Sequence, residues 1–390
     1  MANRRSESEI EVVVIDGAAT ICPRAITPHP HHPSITIVSK RSLLSILTRF
    51  HAGYFRISFS LSGQALLWKT ILEPTKHTSL PVPHMNHVIF SIIPIIIWSF
   101  ALLVLVLFSF LYILRCFFRF NMVKAEFLHH VGVNYLFAPW MSWLLLLQSA
   151  PFVAPKNVSY LILWWVFAVP VVMLDVKIYG QWFTKGKRFL TAVANPTSHI
   201  SVIGNLVGAR AAAEMGWQEI SICLFSLGMV HYLVLFVTLY QRLSGGDRLP
   251  KMLRPVFFLF FAAPSMASLA WDTISGSFDI ASKMLFFLSL FLFTSLICRP
   301  ALFKKSMRRF NIAWWAYSFP ITSLALASTE YARAVKGGVA HLIMLLLWGL
   351  SVLVILGLLM VTLLNTKMLL PDDDPILIIT SLPNHSSRIP

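Results

Sequence analysis

Long apolar runs, separated by short and mostly basic loops, recur along the chain from about residue 55 to residue 366. A helix that crosses a bilayer needs roughly 20 predominantly apolar residues. Ten segments fit: 55–72, 88–114, 131–150, 158–178, 197–215, 217–240, 252–275, 280–298, 310–331 and 338–366. The pattern predicts an all-α membrane protein with ten transmembrane helices. The segments differ in kind. Even-numbered ones are the greasier, whereas the first and fifth are rich in Ser, Gly and Asn. Low hydrophobicity suits a helix that faces protein or water rather than lipid.

Three odd-numbered segments echo one another. "LFAPWMSW" (136–143), "FAAPSMAS" (261–268) and "YSFPITSL" (317–324) each set a proline near mid-helix, followed by small or hydroxyl residues. Pro139, Pro264 and Pro320 each remove a backbone hydrogen bond. In lipid that defect must be met by neighbouring helices, side chains or water. The first and fifth segments carry "SLSGQA" (60–65) and "SVIGNLVGA" (201–209), which offer Gly63, Gly204 and Gly208 as bending points. The prolines of the even segments, Pro94 and Pro170, lack the following small residues. This alternation predicts five hairpins, each with an inner kinked helix and an outer lipid-facing one, around a central lane.

Within the echo one position stands out. Ala138 and Ala263 precede two of the prolines, but Phe319 precedes the third. A phenyl ring projecting into a narrow pore blocks hydrated ions sterically and by dewetting. Swinging it aside costs a rotamer change of order 1 kcal/mol plus lost packing. Phe319 is therefore the candidate gate. An ordinary packing role competes, since the chain has 30 Phe.

Composition supports the membrane reading. Of 390 residues, 57% are hydrophobic and 12% charged, against about 25% charged in soluble domains. The formal net charge of +16 would suggest nucleic acid in a soluble protein. Here the loops account for it. Those at 115–130, 177–196, 242–254 and 299–309 hold 16 Lys and Arg, and the intervening loops hold 6. The positive-inside rule makes the first set cytoplasmic. Arg41, Arg49 and Arg56 place the amino terminus inside, and ten spans return the carboxyl terminus there too. No nucleic-acid partner is expected.

Candidate chemistry is sparse. Cys22, Cys116, Cys223 and Cys298 have no paired spacing, so neither a disulfide framework nor a metal site is expected. "HPHHP" at 29–33 reads as part of a disordered leader. The histidines have no carboxylate or serine partners in a catalytic arrangement, and no glycine loop for phosphate occurs. No catalytic residues and no cofactor are expected; the chain is not read as an enzyme. Lys69, Asp175, Lys177, Arg210, Glu214 and Asp272 fall near segment ends, which leaves a nearly uncharged lane. Arg210 and Lys177 are candidate mouth charges, and Arg210 equally suits pairing with Glu214 four residues on.

"FHAGYFRISFSLSGQALLW" (50–68), "KIYGQWF" (177–183), "ANPTSHISVIGNLVGA" (194–209), "HYLVLFVTLYQRL" (231–243), "FAAPSMASLAW" (261–271) and "FNIAWWAYSFP" (310–320) resemble the plant slow-type anion channels. These are relatives of the bacterial tellurite-resistance/dicarboxylate-transporter family. The resemblance spans about residues 50–370 and is closest to the short-tailed subgroup. It implies a plasma-membrane trimer with a pore through each protomer, ten helices in five hairpins, and a gating phenylalanine at Phe319. It implies chloride and nitrate as permeant anions. The expected organisation is a cytoplasmic leader at 1–50, a channel domain at 51–366 and a cytoplasmic tail at 367–390. Kinases activate several family members through long cytoplasmic tails. The short flanks here, despite Ser6, Ser8, Ser34, Ser39 and Ser42, argue against protein kinases as partners. They also allow an alternative: an electrically silent subunit that joins a homo- or heterotrimer and modulates a conducting relative. A dicarboxylate transporter is a weaker alternative, because the odd segments offer no mid-depth carboxylate or histidine as a proton relay.

Overall fold

The computed structural model describes residues 44–72, 87–185, 195–244, 251–304, 307 and 310–366. The expectations about the leader up to residue 43, including "HPHHP", Cys22 and the five serines, and about the tail from residue 367 lie outside them.

Among the described residues every regular element is helical. Ten helices dominate: α1 (Phe55–Leu72), α2 (His87–Phe118), α3 (Phe137–Ser149), α4 (Val158–Lys185), α5 (His199–Glu214), α6 (Gln218–Ser244), α7 (Leu259–Ser275), α8 (Ile280–Ile297), α9 (Ser318–Val335) and α10 (Gly338–Leu364). Six stretches are long and apolar enough to cross a membrane: Ile92–Phe118, Val158–Thr184, Gln218–Gln241, Arg254–Ser275, Ile280–Ile297 and Gly338–Leu364. These are the even helices together with α7. The others, α1, α3, α5 and α9, are the shorter or more polar odd helices.

Burial explains the difference. α5 buries 15 of its 16 residues, whereas α10 buries 5 of 27. An interior helix meets other helices, so Ser, Gly and Asn cost it little. The exposed faces of the even helices carry large apolar residues such as Leu103, Phe110, Leu353 and Leu363, as a lipid-facing surface requires. Each odd helix packs against the even helix that follows it. Contacts between odd helices run α1 to α3, α3 to α5, α5 to α7, α7 to α9 and α9 back to α1.

Each odd helix is entered through a short helical segment: Ala52–Tyr54, Gly132–Tyr135, Pro196–Ser198, Lys251–Phe258 and Ile312–Tyr317. This relocates two of the three prolines. Pro139 and Pro320 are not mid-helix; each is the third residue of its α-helix. A proline is cheap in a first turn, because the N–H it lacks has no intrahelical acceptor there. Pro264 lies further in, at the sixth residue of α7. It leaves the Phe260 carbonyl without its helical donor, and the Tyr232 hydroxyl donates to that oxygen from α6 at 3.4 Å.

A buried ion pair ties α2 to the helix that follows it, Phe120–Leu128. Arg115 Nη2 lies 2.6 Å from Glu126 Oε1, both side chains almost wholly buried. The Tyr112 hydroxyl donates to the other carboxylate oxygen at 3.0 Å. Gly132, just beyond, has no room for a side chain: a Cβ there would meet the Glu126 carbonyl oxygen at 2.6 Å.

Candidate functional site

Phe319 belongs to the first turn of α9 and is 1% exposed. Its ring crosses to α1 and stacks on Phe59, with centroids 3.8 Å apart and planes at 29°. One turn on from Phe59 is Gly63. A Cβ at Gly63 would stand 3.0 Å from Phe319 Cδ2 and 3.3 Å from Cε2. The missing side chain is thus the seat of the ring. Gly63 acts by close approach and not by bending, since α1 is continuous through it.

A polar cluster sits beside the ring. Gln64 Nε2 donates to Thr322 Oγ1 at 3.0 Å and to Ser351 Oγ at 2.7 Å. The Thr322 and Ser351 hydroxyls are 2.9 Å apart. Three helices, α1, α9 and α10, are tied together next to Phe319. Three other buried hydroxyls donate within their own helices: Ser62 to Ser58 O, Ser142 to Ala138 O and Thr329 to Ala325 O. Their protons are committed to helix carbonyls.

Four of the five entrances to the odd helices share a device that the sequence reading missed. His51 Nδ1 accepts from the Gly53 N–H, Asn195 Oδ1 from the Thr197 N–H and Asn311 Oδ1 from the Ala313 N–H. Before α3, His129 Nδ1 accepts from the Val131 N–H at 3.1 Å. Burial lowers the pKa of His129 below its ordinary value, which favours the neutral ring that this role needs. The signal was available as a His or Asn two residues ahead of each donor in "FHAGYF", "HHVGV", "ANPTS" and "FNIAW".

The remaining expected positions scatter. Ala138 and Ala263 are each 1% exposed. A Cβ on Gly204 would meet Met141 of α3 and Val171 of α4, and one on Gly208 would meet Leu224 of α6. These glycines admit neighbouring helices, and α5 continues unbroken through both. Arg210 pairs with Glu214, Nε to Oε1 at 3.2 Å. Lys177 Nζ lies 3.8 Å above the Phe127 ring. Asp175 is not at a segment end, because α4 runs on to Lys185; its Oδ2 accepts from Asn205 Nδ2 of α5 at 2.7 Å.

Lipid-facing helices outside and polar, protein-buried helices inside define a multi-pass helical membrane protein. Residues 49–363 match the family model described as voltage-dependent anion channel, SLAC1. The chain belongs to this family of channels, whose members are not enzymes. It is 59% identical over 331 residues to the S-type anion channel SLAH1 of Arabidopsis thaliana, covering 85% of each chain. It is 58% identical to SLAH4 of the same plant, over 85% of this chain and 88% of that one. A distant relative is the tellurite resistance protein TehA homolog of Haemophilus influenzae, 22% identical over 72% of this chain and 80% of that one.

Proposed function

We propose that the chain forms a slow-type anion channel subunit of the plasma membrane, passing chloride and nitrate through a lane closed by Phe319. The observation that carries this reading is the fully buried Phe319 ring, seated on Gly63 and stacked on Phe59 at the heart of the odd-helix circuit. In it all ten helices cross the membrane, as five hairpins spanning residues 51–366. The termini are cytoplasmic, and three protomers assemble with one lane each. Pro139, Pro264 and Pro320, with Ala138, Ala263 and Gly63, shape its walls, Gly204 and Gly208 let α5 seat against its neighbours, and Arg210 and Lys177 stand towards its mouths.

Conduction follows from weak binding. An ion must enter readily and also leave, so walls that hold it tightly slow it. Hydroxyls whose protons already serve helix carbonyls are not free to grip an anion, which leaves donors such as the unpartnered Ser58 and Ser318 hydroxyls. Passage then depends on how easily the ion sheds water, which ranks nitrate above chloride and chloride above sulfate.

Two-electrode recording of Phe319→Ala in chloride and in nitrate tests the gate. The expected result is a large anion current where the unsubstituted chain passes little. Absence of current from Phe319→Ala, with altered current from a co-expressed relative, would replace this reading with that of a modulatory subunit. Uptake that requires a proton gradient would replace it with a transporter.

A further inference from the structure

We propose that Arg56 is an anion-binding site on the amino-terminal side of the Phe59–Phe319 stack, holding a small inorganic anion such as chloride or nitrate. The proposal rests on the Phe319 gate for its role in conduction, but not for binding itself.

Helix geometry supplies the position. Arg56, Phe59 and Gly63 follow at i, i+3 and i+7, one stripe on α1. Phe59 and Gly63 are the two residues that receive the Phe319 ring. Arg56 lies one turn before Phe59, about 4.5 Å along the axis at 1.5 Å per residue. Its guanidinium leans towards the entrance of α3 and sits over Tyr135, 4.4 Å from the ring centroid. Phe59 leans the other way, to α9. Since α1 packs between α3 and α9, the stripe faces the inside of the odd-helix circuit.

Charge supplies the ligand. Arg56 is 5% exposed, and its Nη2 is buried with no hydrogen-bond acceptor among the described residues. Arg115, Arg210 and Arg333 each pair with a carboxylate, whereas Arg56 has no acidic partner among the described residues. A buried cation without an acidic partner is costly unless something of opposite charge comes to it. The Tyr135 face offsets part of that cost, since cation–π contact strengthens on desolvation. What remains is a guanidinium with an unused donor beside the plug, a suitable partner for an oxyanion or halide. A single charge at the end of a lane raises the local anion concentration without arresting ions inside it. The positive-inside count treats Arg56 as one charge among many; its burial and its place on the Phe59 stripe separate it from them.

Two measurements test the site. First, purified protein in chloride-free buffer is titrated with nitrate and its melting temperature followed, because a ligand bound only by the folded state stabilises it. Nitrate should raise the temperature for the unsubstituted protein and for Arg56→Lys, and Arg56→Gln should lose most of the rise. Second, cytosolic nitrate is varied on Phe319→Ala channels. Adding Arg56→Gln should raise the half-saturating concentration ~5–10-fold, with Arg56→Lys close to the parent. If Arg56→Gln retains both the stabilisation and the concentration dependence, or if Arg56→Lys and Arg56→Gln lose them equally, the proposal is overturned. If Phe319→Ala is silent while the stabilisation still depends on Arg56, the site stands and the gate fails. Conversely, Phe319→Ala current and nitrate stabilisation that are both indifferent to residue 56 sink the site and leave the gate.

Discussion

The Phe319 ring of α9 lies against the bare backbone of Gly63 on α1, so close that a Cβ at Gly63 would stand 3.0 Å from its Cδ2. One residue's lack of a side chain and another's bulk are complementary. In a close-packed interior such pairs respond to a single methyl.

Gly63→Ala should therefore cost about 1–3 kcal/mol by overpacking. In a Phe319→Ala background the same change should be nearly neutral, since the two nearest contacts are gone and Thr322 Cγ2 is 3.5 Å away. Residues in contact show coupling of about 0.5–3 kcal/mol in a double-mutant cycle. Thermal unfolding of the four proteins in detergent measures it; additivity within experimental error would refute the seat.

Phe59→Leu removes the aromatic partner and keeps apolar volume. An aromatic pair adds about 0.5–1.5 kcal/mol beyond area burial, so the blocking position of Phe319 loses about that much. A small standing anion current is expected, well below that of Phe319→Ala. Currents indistinguishable from the unsubstituted chain would show that Phe59 does not hold the ring.

Thr322→Val deletes a hydroxyl that accepts from Gln64 and lies 2.9 Å from Ser351 Oγ. Leaving buried polar partners short of a hydrogen bond costs about 1–3 kcal/mol. The melting temperature should fall, whereas Thr322→Ser, which keeps the hydroxyl, should restore most of it.

Glu126→Ala strands the buried Arg115 guanidinium. Breaking such a pair typically costs about 3–5 kcal/mol, read as a large loss of thermal stability. Replacing both partners with apolar residues of similar volume should cost far less. A paired glycine test checks the adjoining turn: Gly132→Ala should destabilise, because its Cβ would collide with Glu126 backbone. Gly180→Ala in α4, with nothing within 4 Å of its added Cβ, should gain about 0.5–1 kcal/mol from helix propensity.

Much of the architecture was legible in the chain because lipid imposes a one-dimensional rule. Apolar length marks the even helices, and Ser, Gly and Asn mark helices that face protein, so the alternation could be read without coordinates. The echo around Pro139, Pro264 and Pro320 was legible too, but its meaning shifted. Local sequence does not say where a short entry segment hands over to an α-helix, and that boundary puts Pro139 and Pro320 in first turns.

The sequence by itself determined the family, the helical class and the residue, Phe319, that breaks the alanine pattern. Only the tertiary structure decided what that ring touches. Phe59 and Gly63 are more than 250 residues away along the chain, and no periodicity joins them to Phe319. The same holds for Arg56: its charge was visible from composition, but its isolation depends on which side chains the fold brings near it. Contacts between distant segments arise from packing, and packing is a property of the assembled helices rather than of any one of them.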